Sequence, residues 1–453
     1  MPLPLVTFEQ HMLFDDRPAY PMNCFIRLHF SGRLNLPALR DVLPAVLARH
    51  PLLRAIVRKV GRRQEWASCP MLPTIHAASP RDGGCLPKTT AIDLRREPGL
   101  RLSATQCDQG FQLLMQLHHA CCDALGAMVF LDDLLTAYDQ ACAQGACASL
   151  SLRALDEGSL RRRGRFAPLS GRFRQIVRQK AVGLLRAWRF MLRTPVSIAS
   201  PVASDRPDAL PDDFPASHSR QFTAAESLRL RQAAAERRVT LNDLLMRDWF
   251  LAVDAWKKRH CPGPAAGWLR LCVPVSLRTE EHRRLPAANV VSMAFVERRP
   301  KDLANPESLL QGLHREMALV KLLHLGQAFV VGTGLVERLP HKLLHAIRPG
   351  RCWASGVLSN MGVLLGDSPL PKQDGRLELG GAVLEQIEML PPLRPGTHAA
   401  FAALTYAGRL SLSLHYDSRA IDRSRAADLI DAYVRQLQSS MAPAEPSGKL
   451  VNG

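Results

Sequence analysis

The chain has 453 residues, enough for two or three domains of about 150 residues each, and two lobes are expected. Hydrophobic residues make up 47% and charged residues 22%, a balance that excludes disorder over most of the chain. A formal net charge of +18 predicts a surface that attracts nucleic acid, anionic lipid, or a phosphate-bearing cofactor or carrier. The basic residues have no interleaved aromatics and the chain has no zinc-knuckle spacing or RNA-binding signature, so we expect no nucleic-acid partner.

The cysteines and the N-terminus indicate where the protein works. The 11 cysteines form no Cys-x-x-Cys pair and no Cys/His zinc pattern, which favours reduced thiols, no metal site and a cytoplasmic protein. The N-terminal run MPLPLVTFEQ has no basic region followed by an apolar stretch. No run of about 18 apolar residues occurs, so neither a signal peptide nor a membrane span is predicted.

Residues 1–158 alternate strand-like and helix-like segments and are predicted to form an N-terminal lobe. The run CFIRLHF at 24–30 is typical of a strand, and Gly32 marks a turn. The apolar residues between 36 and 47 then recur at helical spacing, and Pro51 is expected to end that helix.

A second strand is predicted over 111–119, where apolar residues alternate with a period of two. This period places His119 on the apolar face of the strand and His118 on the opposite face. Helical spacing begins after Asp123. The run from His118 to Asp123 is therefore predicted to occupy a strand-to-helix turn.

Residues 159–215 are predicted to be a basic amphipathic segment and a linker. No acidic residue occurs from Ser159 to Ser204. The basic residues of this stretch are Arg161, Arg162, Arg163, Arg165, Arg172, Arg174, Arg178, Lys180, Arg186, Arg189 and Arg193. One face of a predicted helix at about 171–193 collects the apolar residues Phe173, Ile176, Val177, Leu184, Leu185, Trp188 and Met191. Such a helix suits an anionic membrane surface, although packing against the lobes as an ordinary surface helix is also open.

Residues 216–441 are predicted to form a C-terminal lobe, and 442–453 a disordered tail. The lobe begins with two helical stretches, the second capped by Thr240 or Asn242. Strands are expected at 269–278, at 290–299 and on both sides of the Ala407-Gly408 turn, before a last amphipathic helix.

A histidine at a strand end with an aspartate four residues later suits general-base chemistry. His119 has an imidazole of near-neutral pKa, and the Asp123 carboxylate can hold the local backbone. The same spacing also fits a buried core histidine followed by a helix N-cap. Spacing alone leaves both interpretations open.

The run His118-His119-Ala120-Cys121-Cys122-Asp123 resembles the His-His-x-x-x-Asp signature of one acyltransferase superfamily. That superfamily contains chloramphenicol acetyltransferases, peptide-synthetase condensation domains, plant acyltransferases and wax ester synthases. Further segments resemble its polyketide-associated and wax-synthase branches in the same order: FEQHMLFDD, RHPLLRA (49–55), VTLNDLL (239–245), VPVSLR (273–278), the run 288–291 and LSNMG (358–362). The resemblance spans nearly the whole chain apart from the basic segment and the tail.

The resemblance implies an α/β fold of two chloramphenicol-acetyltransferase-like lobes, each a mixed β-sheet with helices, with an active-site cleft between them. It implies acyl transfer from a coenzyme A or carrier-protein thioester to a hydroxyl acceptor, with His119 as general base. No bound cofactor is expected beyond the acyl donor. The chain is expected to act as a monomer, in the cytoplasm or peripherally at the inner face of the membrane.

Roles for further residues follow from the same resemblance. Asp123 is implied to be structural and Arg278 its partner, with His118 supporting. Ser359, Asn360 and Asn289 are implied to contact substrate. The basic segment 171–193 gains a third interpretation, docking of coenzyme A phosphates or an acidic carrier protein.

Two alternatives remain. One is a stand-alone condensation domain that joins an acyl carrier to an amine or alcohol. The other is a catalytically silent relative that binds lipid or carrier at a membrane surface. It is suggested by the basic helix and by Ala124, which stands where the superfamily usually has glycine, the first glycine being Gly126. A nucleophilic Cys121 or Cys122 is less favoured, since the resemblance implies direct transfer.

Overall fold

The computed structural model describes residues 3–61, 63–79, 86, 88–108, 110–144, 150–165, 173–200, 209–261, 267–326 and 352–442. The side chains of residues 144 and 173–180 are not described. The predicted tail beyond residue 442, linker residues 201–208 and the side chains of Phe173, Ile176 and Val177 therefore lie outside the described residues.

The helices of the described part are α1 (Thr7–Asp15), α2 (Leu36–Ala48), α3 (Ala124–Gln144), α4 (Phe173–Leu192), α5 (Ala224–Glu236), α6 (Leu241–His260), α7 (Pro306–Leu322) and α8 (Arg423–Ser440). Helix α2 starts where the Asn35 side chain accepts a hydrogen bond from the Ala38 N–H. Of the two predicted caps for α6, Thr240 is the one used, in a capping box with Asp243.

The strands are β1 (Leu3–Pro4), β2 (Asn23–Ser31), β3 (Ala55–Val60), β4 (Arg63–Ser68), β5 (Ile75–Ala78), β6 (Leu100–Cys107), β7 (Gly110–His118), β8 (Ser217–Gln221), β9 (Leu269–Ser276), β10 (Val291–Arg298), β11 (Gly356–Val363), β12 (Lys372–Gln373), β13 (Arg376–Leu379), β14 (Ala382–Leu390), β15 (Ala399–Tyr406) and β16 (Arg409–Tyr416). They form one large sheet in each lobe and a small sheet of order β1-β4-β3.

The N-terminal lobe is organised around a seven-stranded sheet of order β12-β13-β14-β2-β7-β6-β5. The β2 and β7 strands pair in antiparallel register with Asn23 opposite His118, while β5 runs parallel to β6. The apolar faces of α2 and α3 pack in the same hydrophobic core as these strands. This core holds the end of β7, and hence the histidines, in a fixed position.

The C-terminal lobe contains a six-stranded sheet of order β10-β9-β11-β15-β16-β8. Strand β11 runs parallel to both neighbours, and the other pairs are antiparallel. Helices α6 and α8 share the core of this lobe, where the Tyr433 hydroxyl donates to the Leu245 carbonyl at 2.8 Å. Both large sheets are thus mixed, as the resemblance implies.

Strands β12–β14 do not follow the predicted division of the chain, in which 216–441 forms one lobe. Strand β14 pairs with β2, with Leu390 opposite Phe25, so residues 372–390 complete the N-terminal sheet. Tyr406 of β15 connects strand β14 to the C-terminal sheet, because its hydroxyl donates to the Leu384 carbonyl at 3.0 Å. Alternating hydrophobicity marks a strand but carries no information about which sheet it joins.

The lobes also meet through polar and charged side chains. The Tyr20 hydroxyl donates to Asp417 Oδ2 at 2.9 Å, and Arg394 lies 3.2 Å from Asp15. Burial alone would raise the pKa of Asp417, but hydrogen bonds from His398 and Arg419 outweigh it and lower that pKa. Over the described residues, the helices include none that is both long and apolar enough to cross a bilayer.

Candidate active site

The run from His118 to Asp123 forms a tight turn between β7 and α3. The His119 N–H donates to the Met22 carbonyl at 2.7 Å, and the Cys121 N–H donates to the His118 carbonyl at 2.9 Å. Helix α3 then begins at Ala124. The predicted strand-to-helix turn is the one observed.

His118 is fully buried and serves the turn itself. Its Nδ1 accepts a hydrogen bond from the Ala120 N–H at 3.1 Å, which places the ring proton on Nε2. That Nε2 faces Asp16 Oδ2 at 3.4 Å. With both ring nitrogens directed at protein groups, His118 is suited to support the turn.

His119, the next residue of the turn, is only half-buried. The ring meets the edge of Phe8, with centroids 5.6 Å apart. Burial lowers the pKa of the imidazole below its usual 6.5; its own main-chain carbonyl and Asp123 act to raise it, and Arg394 acts to lower it. A neutral imidazole, able to accept a proton near pH 7, follows from this balance.

Asp123 is buried and has both carboxylate oxygens occupied. Its Oδ1 accepts from the Gly126 N–H at 2.8 Å, as an N-cap of α3 does. Its Oδ2 accepts from the Val290 N–H at 2.7 Å and from Arg278 Nη1 at 2.6 Å. The helix cap and the arginine pair are both formed, and these contacts direct the Asp123 carboxylate at the backbone of the turn and at Arg278.

The segment 288–290 of the C-terminal half holds the turn from outside. Arg278 Nη2 donates to the Ala288 carbonyl at 3.0 Å. The Asn289 side chain is buried and its Nδ2 donates to the carbonyls of His119, at 2.9 Å, and Ala120, at 2.8 Å. Asn289 therefore holds the backbone at His119 in place. The resemblance implied a contact between Asn289 and substrate and did not indicate this role.

Ser359 and Asn360 lie on β11 of the C-terminal sheet. Ser359 is opposite Ala402 of β15, and Asn360 Nδ2 donates to Asn242 Oδ1 on α6 at 3.3 Å. Among the described contacts none joins either residue to His119. Their predicted contact with substrate stays a prediction.

Cys121 and Cys122 are completely buried beside the histidines. Burial raises the pKa of both thiols well above the ordinary value, which keeps them protonated. Neither thiol is available as a nucleophile. In the described ranges no group of three or more His, Cys, Asp or Glu side chains could hold a metal ion.

The alanine at position 124, where the superfamily usually has glycine, does not strain the turn, and Gly126 has a separate structural role. Ala124 is the first residue of α3 and is not among the non-glycine residues with positive φ, so it causes no backbone strain. Gly126 lies where α3 meets segment 288–290, and a Cβ there would stand 2.7 Å from the Ala288 carbonyl oxygen. The glycine is required by close backbone contact.

Gly126→Ala is expected to destabilise the fold by about 1–3 kcal/mol and to lower activity, because the added methyl group displaces the backbone that carries Val290 and Asn289. The matched control is Gly312→Ala inside α7, where the nearest atom to a new Cβ is the flexible end of Arg298 at 3.6 Å. That control should be neutral or stabilising by about 0.5–1 kcal/mol, as alanine usually is in a helix. Denaturant unfolding of both variants measures the difference, and equal stability would show that the close contact is not tight.

The fold and the turn together define a class of protein. It is a two-lobed α/β protein in which the second lobe forms hydrogen bonds to the turn His118–Asp123 of the first lobe. Solved structures with this fold include polyketide synthase associated protein 5 from Mycobacterium tuberculosis, with 14% identity, 97% of this chain and 98% of that chain covered, and a TM-score of 0.65. The starter condensation domain of rhizomide synthetase matches with 14% identity, 98% and 96% coverage, and a TM-score of 0.68. The first condensation domain of the calcium-dependent antibiotic synthetase matches with 14% identity, 98% of this chain and 97% of that chain covered, and a TM-score of 0.68.

Comparison of the sequence adds one partial match and no family assignment. The chain matches no protein-family model. It is 26% identical over 153 residues to one component of the mycosubtilin synthase of Bacillus subtilis, a match covering 30% of this chain and 6% of that much longer protein. The structural neighbours are thus condensation domains and a polyketide-associated protein, and the resemblance predicted from the sequence is confirmed at the level of the fold.

Proposed function

We propose that the protein is an acyltransferase that moves an acyl group from a thioester to a hydroxyl acceptor, with His119 as general base. The observation that carries the proposal is a half-buried imidazole whose pKa is lowered by burial and whose main chain is bonded to Met22 of the first lobe and Asn289 of the second. A general base must be neutral at the working pH and held near the reacting atoms. The lowered pKa of His119 and the hydrogen bonds to its main chain support this role.

The proposed step is a direct transfer. The His119 imidazole takes the proton of the acceptor hydroxyl while the oxygen attacks the thioester carbonyl. The tetrahedral intermediate collapses, the carbon–sulfur bond breaks, and the leaving sulfur takes the proton back from the imidazolium. One ester and one thiol result, and His119 returns to its neutral form. Because Cys121 and Cys122 are buried and protonated, no acyl-enzyme intermediate is included.

The donor is proposed to be acyl-coenzyme A or an acyl carrier protein. The rhizomide synthetase domain that shares the fold was solved in complex with C8-CoA. This chain shares the fold of that domain, which supports a coenzyme A thioester as the donor. Thiol release from donors of short, medium and long acyl chains determines which acyl chain length is used.

Amide formation by a stand-alone condensation domain is the second candidate. It is favoured by the peptide-synthetase condensation domains among the structural neighbours. The chemistry at His119 would be the same, with an amine in place of the hydroxyl. A silent binding relative is less favoured now, since Ala124 adopts an ordinary helical conformation and no longer argues for a damaged turn.

Thiol release from acyl-coenzyme A of short, medium and long chain length tests the proposal, with a panel of alcohols and of amines as acceptors. We expect acceptor-dependent thiol release with an alcohol and an ester product of the matching mass; the His119→Ala protein is the blank. Amide products alone would replace the hydroxyl acceptor by an amine. No thiol release with any coenzyme A donor, nor with acyl groups loaded on a carrier protein, would refute acyl transfer and favour the binding relative.

A further inference from the structure

Helix α4 exposes an apolar surface at its C-terminal half. The exposed fractions are 74% for Leu184, 45% for Leu185, 60% for Trp188 and 62% for Leu192. Leu184, Trp188 and Leu192 are four residues apart, and Leu185 is three residues before Trp188. The four side chains therefore form one stripe along the helix. Large side chains of this kind are usually buried, so a cluster of them in one stripe indicates a surface that meets something apolar.

The orientation of this stripe is fixed because the opposite face of α4 is anchored. Arg186 Nη2 donates to the Phe295 carbonyl at 2.9 Å, and its Nη1 lies 3.0 Å from Glu316. One helical turn on, the Phe190 ring lies 4.8 Å from that of Phe295, and Arg193 donates to Glu297 at 2.8 Å. Turning the stripe inward would break these contacts.

The charge around the stripe selects its partner. Helix α4 contains five basic residues and no acidic one, and no acid occurs anywhere from Ser159 to Ser204. Two basic side chains of the segment, Arg186 and Arg193, pair with glutamates of the lobe, whereas Arg189 is exposed beside the stripe. A cationic helix with an exposed apolar stripe complements a negatively charged layer that has an apolar interior.

We propose that α4 docks the protein on an anionic lipid surface, with Leu184, Trp188 and Leu192 inserted among the acyl chains and Arg189 at the headgroups. An acidic protein would match the charge equally well. It would not explain a protruding stripe with leucine spaced four residues on each side of Trp188, since tryptophan prefers the membrane interface and leucine the acyl chains. The proposal concerns a surface outside the His119 site and does not depend on acyl transfer.

Flotation of the full chain with lipid vesicles tests the proposal. We expect binding to phosphatidylcholine vesicles that contain phosphatidylglycerol, weaker binding to phosphatidylcholine alone, and loss of binding at high salt. Leu184→Glu and Trp188→Glu should each reduce the bound fraction roughly tenfold, because a carboxylate is both costly to insert and repelled by the lipid.

Matched controls lie on α5, where Leu228 is 48% exposed and Arg231 is exposed. Leu228→Glu should float like the wild type, and Arg231→Glu should lose less binding than Arg189→Glu. A blue shift of tryptophan emission on adding anionic vesicles, absent in Trp188→Phe, would add independent support. Equal flotation of wild type and Trp188→Glu, or no flotation with either lipid, would overturn the proposal; the second result is the one expected if the partner were an acidic protein.

Discussion

His119→Ala is expected to lower the rate of acyl transfer by about 10²–10⁴-fold, the usual contribution of a general base. The main-chain atoms of residue 119 remain in place in this variant, because the carbonyl is still held by Asn289 and the N–H by Met22. The fold should therefore survive, and the loss should fall on the rate. The measurement is thiol release at saturating donor, with denaturant unfolding alongside it.

The pH dependence of the same reaction has a definite sign. Burial lowers the pKa of His119 below 6.5, so the ring is largely neutral at pH 7. The rate should fall as the pH decreases, with its half-maximal point below pH 6.5, because the imidazole then takes up a proton and can no longer act as base. A half-maximal point above pH 6.5 would mean that another group controls the rate.

His218→Ala is the matched control for this prediction. His218 lies half-buried on β8, away from the turn, and burial lowers its pKa as well. Its loss should leave the rate within a few-fold of the wild type, since it is not placed at the reacting atoms. If both histidine variants lose activity equally, or if His119→Ala retains the wild-type rate, His119 is not the base.

Asp123→Ala is expected to lower the free energy of unfolding by about 3–5 kcal/mol, the usual cost of removing one partner of a buried ion pair. Arg278 would keep its charge without a partner beside the Ala288 carbonyl, and the N–H groups of Val290 and Gly126 would lose their acceptor. Acyl transfer should fall as well, because the turn that carries His119 would relax. Denaturant unfolding and thiol release check the two parts.

Asp422→Ala provides the matched control. Asp422 also caps a helix, α8, by accepting from the Arg425 N–H at 2.9 Å, and it also lies beside an arginine side chain at 3.3 Å. That pair is largely exposed, with 57% of the Asp422 side chain and 50% of the Arg425 side chain accessible. The control should cost about 0.5–2 kcal/mol, as loss of a helix cap does. Equal costs at both aspartates would mean that the buried pair contributes nothing beyond the cap.

A cycle with Asp123→Asn, Arg278→Gln and the double variant separates the pair from the cap. Asparagine can keep the bond to the Gly126 N–H while losing the negative charge. A coupling energy near zero would contradict the role given to Arg278. A coupling of roughly 1–3 kcal/mol is expected for partners in direct contact.

The local elements around the site could be predicted from the sequence because their signals are local. The period of two over residues 111–119 predicted a strand that the structure has at Gly110–His118, and helical spacing after Asp123 predicted α3. The same period put His118 on the face opposite the apolar one, yet His118 is fully buried, because both faces of this strand are covered. A helix N-cap bonds only to the first turn of its own helix, so the capping role of Asp123 could also be predicted from the sequence. The pairing with Arg278 came from resemblance, since no local pattern links residues 155 positions apart.

What encloses the turn was decided by tertiary structure. Asn289 and the Val290 N–H reach the site because the C-terminal lobe folds against it, and a single asparagine in a sequence carries no sign of such a contact. The same holds for β14, whose alternating residues would suit either sheet, and for the Gly126 contact, which depends on how closely α3 meets the backbone at Ala288.

Helix α4 shows the division between sequence and structure most directly. The order of residues is enough to predict an amphipathic helix with one leucine- and tryptophan-rich face and one basic face. Which face turns inward depends on the packing of the fold. It is the face with Arg186 and Arg193, because Glu316 and Glu297 of the neighbouring elements neutralise them. Periodicity sorts residues onto faces, but the charges on the neighbouring elements determine which face is covered.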